Sequence, residues 1–292
     1  MHLETLVAPP LSLSSRISVV SGVLPNHSIA EILVALTSTN VTHIELTVGP
    51  GGHLSAGDTR LASEVRDRIT DAGMTVRGVD ASLQAPLGDG WLAGILEVAA
   101  ELDAPFVRVF APPYDPHVCV EEQMESTATA LREFASSTPP EMVTLLENAS
   151  NSLAPSPELA AHIVNTASHS RVGVLFDPGS MVAEGHLQPN LAIELLGELL
   201  QHVHVKNRTM MPRGDTWISE PRNLRDGLVD WPATLDRLIR RRYCGWLSID
   251  HLASDPSVDR LQADVADLRQ LVDAAVARAS QNDGLPKLTN HQ

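Results

Sequence analysis

The chain has 292 residues, 43% of them hydrophobic and 20% charged, with a formal net charge of −15 and a pI of about 5.1. That is enough apolar material for one large domain with its own core, and the acidity opposes a phosphate backbone as partner, so nucleic acid is set aside. Two isolated cysteines, Cys119 and Cys244, make neither a disulfide framework nor a zinc ribbon. No apolar run reaches the roughly 18 residues that suggest a membrane span, and residues 1–16 do not read as a signal peptide. The expectation is a cytoplasmic protein with a small-molecule partner and no membrane, self-association being left open.

Taken in chain order, short β-branched runs alternate with longer stretches of helical periodicity. The spacing predicts strands over 17–23, 41–47, 74–79, 106–110, 142–147, 172–176, 202–206 and 245–250. Between and after them it predicts helices over 29–37, 59–71, 91–102, 121–135, 157–167, 191–200, 232–241 and 257–277. Ser28, Asp58 and Ser156 stand where N-caps belong, with Pro157 at a first helical position. Strict alternation argues for parallel strands joined by crossover helices, and eight repeats favour closure into a barrel. An open doubly wound sheet would want a glycine-rich phosphate loop after its first strand. Ser21-Gly22-Val23-Leu24-Pro25 offers one glycine. The expected architecture is therefore a single α/β domain, a (β/α)8 TIM barrel over 16–279. A short extension (1–15) precedes it and a polar, breaker-rich tail (280–292) follows. The longest unassigned stretch, 207–231, follows strand seven.

Barrels of this kind present reactive groups at the C-terminal ends of their strands. Strand five ends Leu-Leu-Glu147-Asn148 and strand six Leu-Phe-Asp177-Pro178-Gly179. Strand seven reads His202-Val-His204-Val-Lys206-Asn207, and strand eight ends Leu-Ser-Ile-Asp250-His251. Three carboxylates and a histidine doublet thus arrive at one rim from four successive strands. Carboxylate oxygen with imidazole nitrogen suits Mn²⁺, Mg²⁺, Co²⁺ or Zn²⁺, whereas copper or iron–sulfur centres would want cysteine. The ligands assigned are Glu147, Asp177, His204 and Asp250. His202 shares the inward face of His204 and either supports it or meets substrate. Lys206, one of two lysines against nineteen arginines, continues that face. It and Arg108, a polar residue inside strand four, are read as substrate-binding or, equally, as rim ion pairs. Glu45, near the end of strand two, is read as holding a substrate hydroxyl. His53, after Gly49-Pro50-Gly51-Gly52, is better explained by a tight turn than by a phosphate cradle, and His251 is read as structural. The Arg213-Gly214-Asp215 triplet carries no adhesion reading.

The segments Leu-Glu-Asn, Phe-Asp-Pro-Gly, Val-His-Val-Lys-Asn and Gly-Trp-Leu-Ser-Ile-Asp resemble the ligand-bearing strand ends of the xylose isomerase-like TIM barrel family of sugar phosphate isomerases and epimerases. Asp226-Gly227-Leu228-Val229-Asp230-Trp231 is similar to that family's lead into its penultimate helix, and Tyr243-Cys244-Gly245-Trp246 to its turn into the last strand. Two positions depart: Asp250 stands where Glu is usual, and Ser180 where His or Asn is frequent. The resemblance implies a metal-dependent isomerase or epimerase of a ketose or keto-sugar, working through an enediolate with Glu147 and Asp250 as flanking bases. A dehydratase or lyase on a keto-inositol or 3-keto-sugar would use the same parts. A non-catalytic sugar-binding barrel is the remaining alternative. Endonuclease IV-like chemistry is excluded by the shortage of histidines at the strand ends.

Overall fold

Each β-branched run pairs as the alternation requires. The computed structural model describes residues 13–81, 87, 90–185, 188–251 and 256–282. Its strands are β1 (Ile17–Val20), β2 (His43–Val48), β3 (Thr75–Ala81), β4 (Phe106–Phe110), β5 (Val143–Glu147), β6 (Val172–Phe176), β7 (Leu200–Val205), β8 (Asn207–Arg213), β9 (Thr216–Arg222) and β10 (Trp246–Ile249). Eight close into a parallel barrel in the order β1-β10-β7-β6-β5-β4-β3-β2, while β8 and β9 form a separate antiparallel hairpin. Nine α-helices are described: α1 (Ile29–Ser38), α2 (Thr59–Asp71), α3 (Trp91–Glu101), α4 (Val120–Ser137), α5 (Pro157–Ala167), α6 (Pro178–Glu184), α7 (Pro189–Leu196), α8 (Trp231–Arg240) and α9 (Val258–Asn282). The single (β/α)8 barrel is the architecture the alternation implied.

The helices wrap the barrel because each strand has two buried faces. Outward residues such as Val19, Ile44, Leu46, Val107, Val109, Leu146, Val174, Val203 and Leu247 meet Ile32, Leu36, Ile69, Ile95, Leu131, Ile163, Leu235 and Leu268 in one continuous core. Each such side chain contributes roughly 1.5–3 kcal/mol on burial. Helix starts are fixed locally. Ser28 and Glu31 form a reciprocal capping box, with the Ser28 N–H donating to Glu31 at 2.8 Å. Asp58, Ser156 and Asp230 cap α2, α5 and α8 through their side-chain oxygens.

Three stretches add to or depart from the expected elements. The stretch 207–231, unassigned from the sequence, begins with the β8–β9 hairpin. Gly214 supplies the positive φ (61°) that its tight turn wants, so Arg213-Gly214-Asp215 is turn chemistry. After β6 the chain turns at once into α6, a helix not among the expected ones, which Asp177 caps and Pro178 starts. The helix expected over 191–200 spans Pro189–Leu196; a 3-10 turn follows, and β7 already begins at Leu200. Of the expected extension only Leu13–Ser15, a 3-10 turn, falls among the described residues. At the other end α9 continues to Asn282, and residues 283–292 lie outside them.

Candidate active site

Side chains alternate along a strand, so each barrel strand sends every second residue inward. β7 and β10 pair with His202 opposite Trp246 and His204 opposite Ser248. Their inward rows, His202-His204-Lys206 and Trp246-Ser248-Asp250, therefore climb side by side toward the mouth. Beneath the mouth the interior on this side is polar. Glu45, Ser18, Ser248 and His202 are all buried, and the Ser18 hydroxyl donates to Glu45 Oε1 at 2.7 Å. Ser248 bonds both Ser18 and Glu45. His202 Nε2 lies 2.8 Å from Ser248 Oγ and 3.0 Å from Glu45 Oε1.

His204 rises from this layer. Its Nε2 is 3.1 Å from Glu45 Oε2, and its Nδ1 is 3.1 Å from Asp250 Oδ2 and 3.7 Å from Glu147 Oε2. Burial alone would discharge the ring, but Asp250, Glu45 and Glu147 overcome it and hold His204 well above the usual histidine range. Glu45, against the burial that would protonate it, is held well below the carboxylate range by His202 and His204. The carboxylate thus orients the ring so that Nδ1 faces the mouth, the arrangement that supports metal-bound histidines.

Across the mouth, Glu147 ends β5 and Arg108 lies on β4. Arg108 Nη1 donates to Glu147 at 2.6 Å while its Nε lies 3.0 Å from Asp80. Burial pushes Glu147 up to about 7 in spite of Arg108, His204 and Lys206. It pushes Asp80 up to about 7 as well, whose oxygens have no hydrogen bond beyond that ion pair among the described residues. Asp250 behaves oppositely: burial would raise it, yet Lys206 and His204 hold it well below the carboxylate range.

Asp177 is pinned at both ends. The Asn148 amide donates to the Asp177 carbonyl and accepts from its N–H, each at 2.8 Å. The side chain accepts from the Ser180 N–H at 3.1 Å and the Ser180 hydroxyl at 2.7 Å. Its other partners are Glu147 and the Lys206 ammonium, which also stands 3.5 Å from Asp250 and 4.0 Å from Glu147. Gly179 makes room for the lysine stem, since a Cβ there would sit 2.5 Å from Lys206 Cγ. The motif 226–231 proves to be scaffolding for this strand end. Trp231 is fully buried and its indole N–H donates to the Lys206 carbonyl at 3.1 Å.

The sequence-assigned residues therefore divide. Glu147, His204 and Asp250 each offer a ligand atom, all within 4.8 Å of one another. Asp177 adjoins that trio through Lys206 and through a side-chain hydrogen bond with Glu147, without being one of the three. Glu45, His202 and His204 form a second trio one layer deeper. Glu45 and His202 lie one layer below the cavity at the mouth, whose lining does not include them. Lys206 and Arg108 do line it, together with Glu147, Asp250, Thr47, Ser150 and, from the hairpin, Arg208, Ile218 and Ser219. Its volume is about 600 Å³. Asp80, Arg208 and Ser219 are absent from the sequence reading. Asp80 carries the same signal as Glu147, an acid ending an apolar strand, one residue past the expected end of strand three. His53 Nε2 lies 3.3 Å from the Leu24 carbonyl, a structural contact. His251 pairs with Asp264 at 2.8 Å, away from the mouth.

The donor set fits a divalent cation. Two carboxylate oxygens and one imidazole nitrogen converge on the mouth, which is hard-ion chemistry with one borderline ligand. The buried charges point the same way: five carboxylates (Glu45, Asp80, Glu147, Asp177, Asp250) face Arg108, Lys206 and the His204 imidazolium. Burial drives Glu147 and Asp80 toward protonation and the neighbouring carboxylates add to it, whereas a bound divalent ion would favour their ionised forms.

Over residues 35–271 the sequence matches the family described as xylose isomerase-like TIM barrel. No match was found among curated proteins. Among solved structures it is similar to L-ribulose 3-epimerase, with 17% identity, TM-score 0.70 and coverage of 95% of this chain and 99% of that one. It is also similar to the probable 3-DHS dehydratase AsbF of petrobactin synthesis from Bacillus anthracis, with 14% identity, TM-score 0.69 and coverage of 87% and 98%. A third is a xylose isomerase-like TIM barrel protein from Mycobacterium smegmatis in complex with magnesium, with 17% identity, TM-score 0.66 and coverage of 87% and 92%. At these identities the likeness speaks for the fold alone.

Proposed function

Since the chain belongs to the xylose isomerase-like TIM barrel family, we propose that it is a metal-dependent enzyme that isomerises or epimerises a ketose or related keto-sugar by proton transfer through an enediolate. Glu147, His204 and Asp250 hold the ion, with Asp177 as the fourth ligand. A divalent ion there supplies Lewis-acid polarisation of the substrate's carbonyl. Nothing in the donor set chooses among Mn²⁺, Mg²⁺, Co²⁺ and Zn²⁺.

The observation that carries the reading is the convergence of Glu147, His204 and Asp250 within 4.8 Å of one another, with Glu147 and Asp250 on the wall of the mouth cavity. From that wall Glu147 is placed to take a carbon-bound proton. Arg108 holds Glu147 in place by the 2.6 Å contact. Lys206 and Arg108 offer positive charge to the negative oxygens of an enediolate.

The carboxylates flanking the site are unlike each other, and that supports a second reading. Asp250, held ionised by Lys206 and His204, is a poor acid for returning a proton from the opposite face. The Lys206 ammonium, 3.5 Å from Asp250, keeps its proton tightly among Asp177, Asp250 and Glu147 and offers a departing hydroxyl a charged hydrogen bond. Glu147 as base, with Lys206 hydrogen-bonding the leaving oxygen and solvent supplying its proton, would perform a dehydration. Incubation of the metal-loaded enzyme with a panel of ketoses and keto-inositols in D₂O separates the two. Deuterium entering the carbon beside the carbonyl without loss of mass supports isomerisation or epimerisation; loss of water moves the assignment to a dehydratase. No exchange and no product across the panel would refute both.

A further inference from the structure

Three cations stand on the cavity wall, and two of them are spoken for. Arg108 is bound by Asp80 and Glu147, and Lys206 by Asp177, Asp250 and Glu147. The third, Arg208, has no carboxylate within ion-pair distance among the described residues, in a chain whose net charge is −15. It is nevertheless held firmly. Its Nε donates to the Ser219 hydroxyl at 2.6 Å and its Nη2 to the Ser219 carbonyl at 2.8 Å, across the β8–β9 hairpin. Its own backbone N–H donates to the Asn207 side-chain oxygen at 2.9 Å. That side chain also accepts from the Val229 N–H and donates to the carbonyls of Leu224 and Val229.

A guanidinium has five N–H groups in a planar fork. Ser219 consumes the Nε and one of the Nη2 hydrogens. Three remain, and they include the Nη1/Nη2 edge, which grips a carboxylate with two parallel bonds. The arginine is thus half-buried, fixed in orientation, uncompensated in charge and set on the wall of the same cavity as the ligand trio. A neutral sugar would leave that charge unanswered. A single guanidinium edge matches one negative charge, its partner Ser219 is neutral, and the other two cations of the lining already have carboxylate partners. That favours a carboxylate over a phosphate dianion.

We propose that the substrate is a keto-sugar acid, whose carboxylate is taken by Arg208 while its carbonyl end faces the ligand trio. The proposal rests on the metal-dependent reading above for the second half of that sentence only. Recognition by Arg208 would select among substrates by charge, through an element, the hairpin, that lies outside the eight β/α repeats.

The test is calorimetric binding of 5-keto-D-gluconate, D-fructose and D-fructose 6-phosphate to the Mn²⁺-loaded full chain and to its Arg208→Gln and Arg208→Lys variants. The wild type is expected to bind the acid at least about tenfold more tightly than the neutral ketose. Arg208→Gln should lose about 10–100-fold for the acid, with little change for D-fructose and none in Mn²⁺ affinity; Arg208→Lys should recover only part of it. Equal affinities in the wild type, a preference that survives Arg208→Gln, or no binding of any of the three overturns the proposal. A phosphate preferred over the carboxylate through Arg208 overturns the assignment of the acid. A wild type that takes up no Mn²⁺ yet still prefers the acid through Arg208 upholds this inference and defeats the metal reading instead.

Discussion

At one depth, the interior of the barrel is built in two ways. On the β4-β5-β6 side it is filled by Phe106, Leu145 and Leu175, an apolar plug beneath Arg108, Glu147 and Asp177. On the β1-β2-β7-β10 side it is filled by Ser18, Glu45, His202 and Ser248, a buried hydrogen-bonded network beneath His204 and Asp250. The two meet where the Phe106 and His202 rings stand 4.8 Å apart. The apolar side supports its site residues by packing, which is stabilising and indifferent to protonation. The polar side fixes the tautomer and direction of one imidazole, at the cost of burying groups that must all remain satisfied. The comparison teaches that the barrel core is a scaffold on one side and part of the site on the other.

The largest effect should come from the mouth itself. Glu147→Gln keeps shape but removes proton-accepting capacity, so turnover should fall by about 10²–10⁴-fold while the circular dichroism spectrum is unchanged. Near-normal turnover would remove Glu147 from the chemistry. Next, Leu175→Ala should cost about 2–5 kcal/mol in urea unfolding, because a fully buried side chain leaves a cavity, yet should leave metal affinity almost unaltered. Glu45→Gln should show the reverse pattern. Metal affinity should drop about 10–100-fold through the loosened His204, with a smaller loss of stability. If the two variants behaved alike, the two sides of the core would not differ in kind.

The pH dependence sharpens the same contrast. The raised pKa of His204 means that its Nδ1 carries a proton at neutral pH, and an ion must displace that proton. Apparent metal affinity should therefore rise with pH, by about tenfold per unit for each proton released. Release of Glu147's proton near 7 adds to the slope below that point. Affinity that is flat from pH 6 to pH 8, measured by calorimetry, would contradict the charged His204. The smallest effect expected is Asp250→Glu, which keeps the carboxylate and should be tolerated far better than Asp250→Ala when turnover is compared.

The barrel was legible because short β-branched runs and stretches of helical periodicity alternate eight times, and each repeat reinforces the same topology. Glu147, His204 and Asp250 were legible for a related reason: an ionisable group emerging from an apolar strand has few explanations. The misses have physical causes. The β8–β9 hairpin contains Pro212 and Pro221 and is half-buried without a buried face, so it lacks the alternation of buried and exposed residues that marks a sheet strand. Helix α6 is seven residues long, too short to display a period. The engagement of Asp177 by Lys206 depends on Gly179 from α6 leaving space, a three-body relation that no linear spacing reveals. Glu45 and His202 were placed on the correct face, but their depth depends on how the barrel's layers register across strands.

The central claim is that Glu147, His204 and Asp250 are one metal centre supported from below by Glu45. Calorimetric titration of Mn²⁺ into the wild type and His204→Gln tests it most directly. The result expected is one ion per chain in the wild type and affinity weakened by more than about 100-fold in the variant, with the fold intact. A wild type that takes up no ion, or a variant that binds it as tightly as the wild type, would contradict the claim.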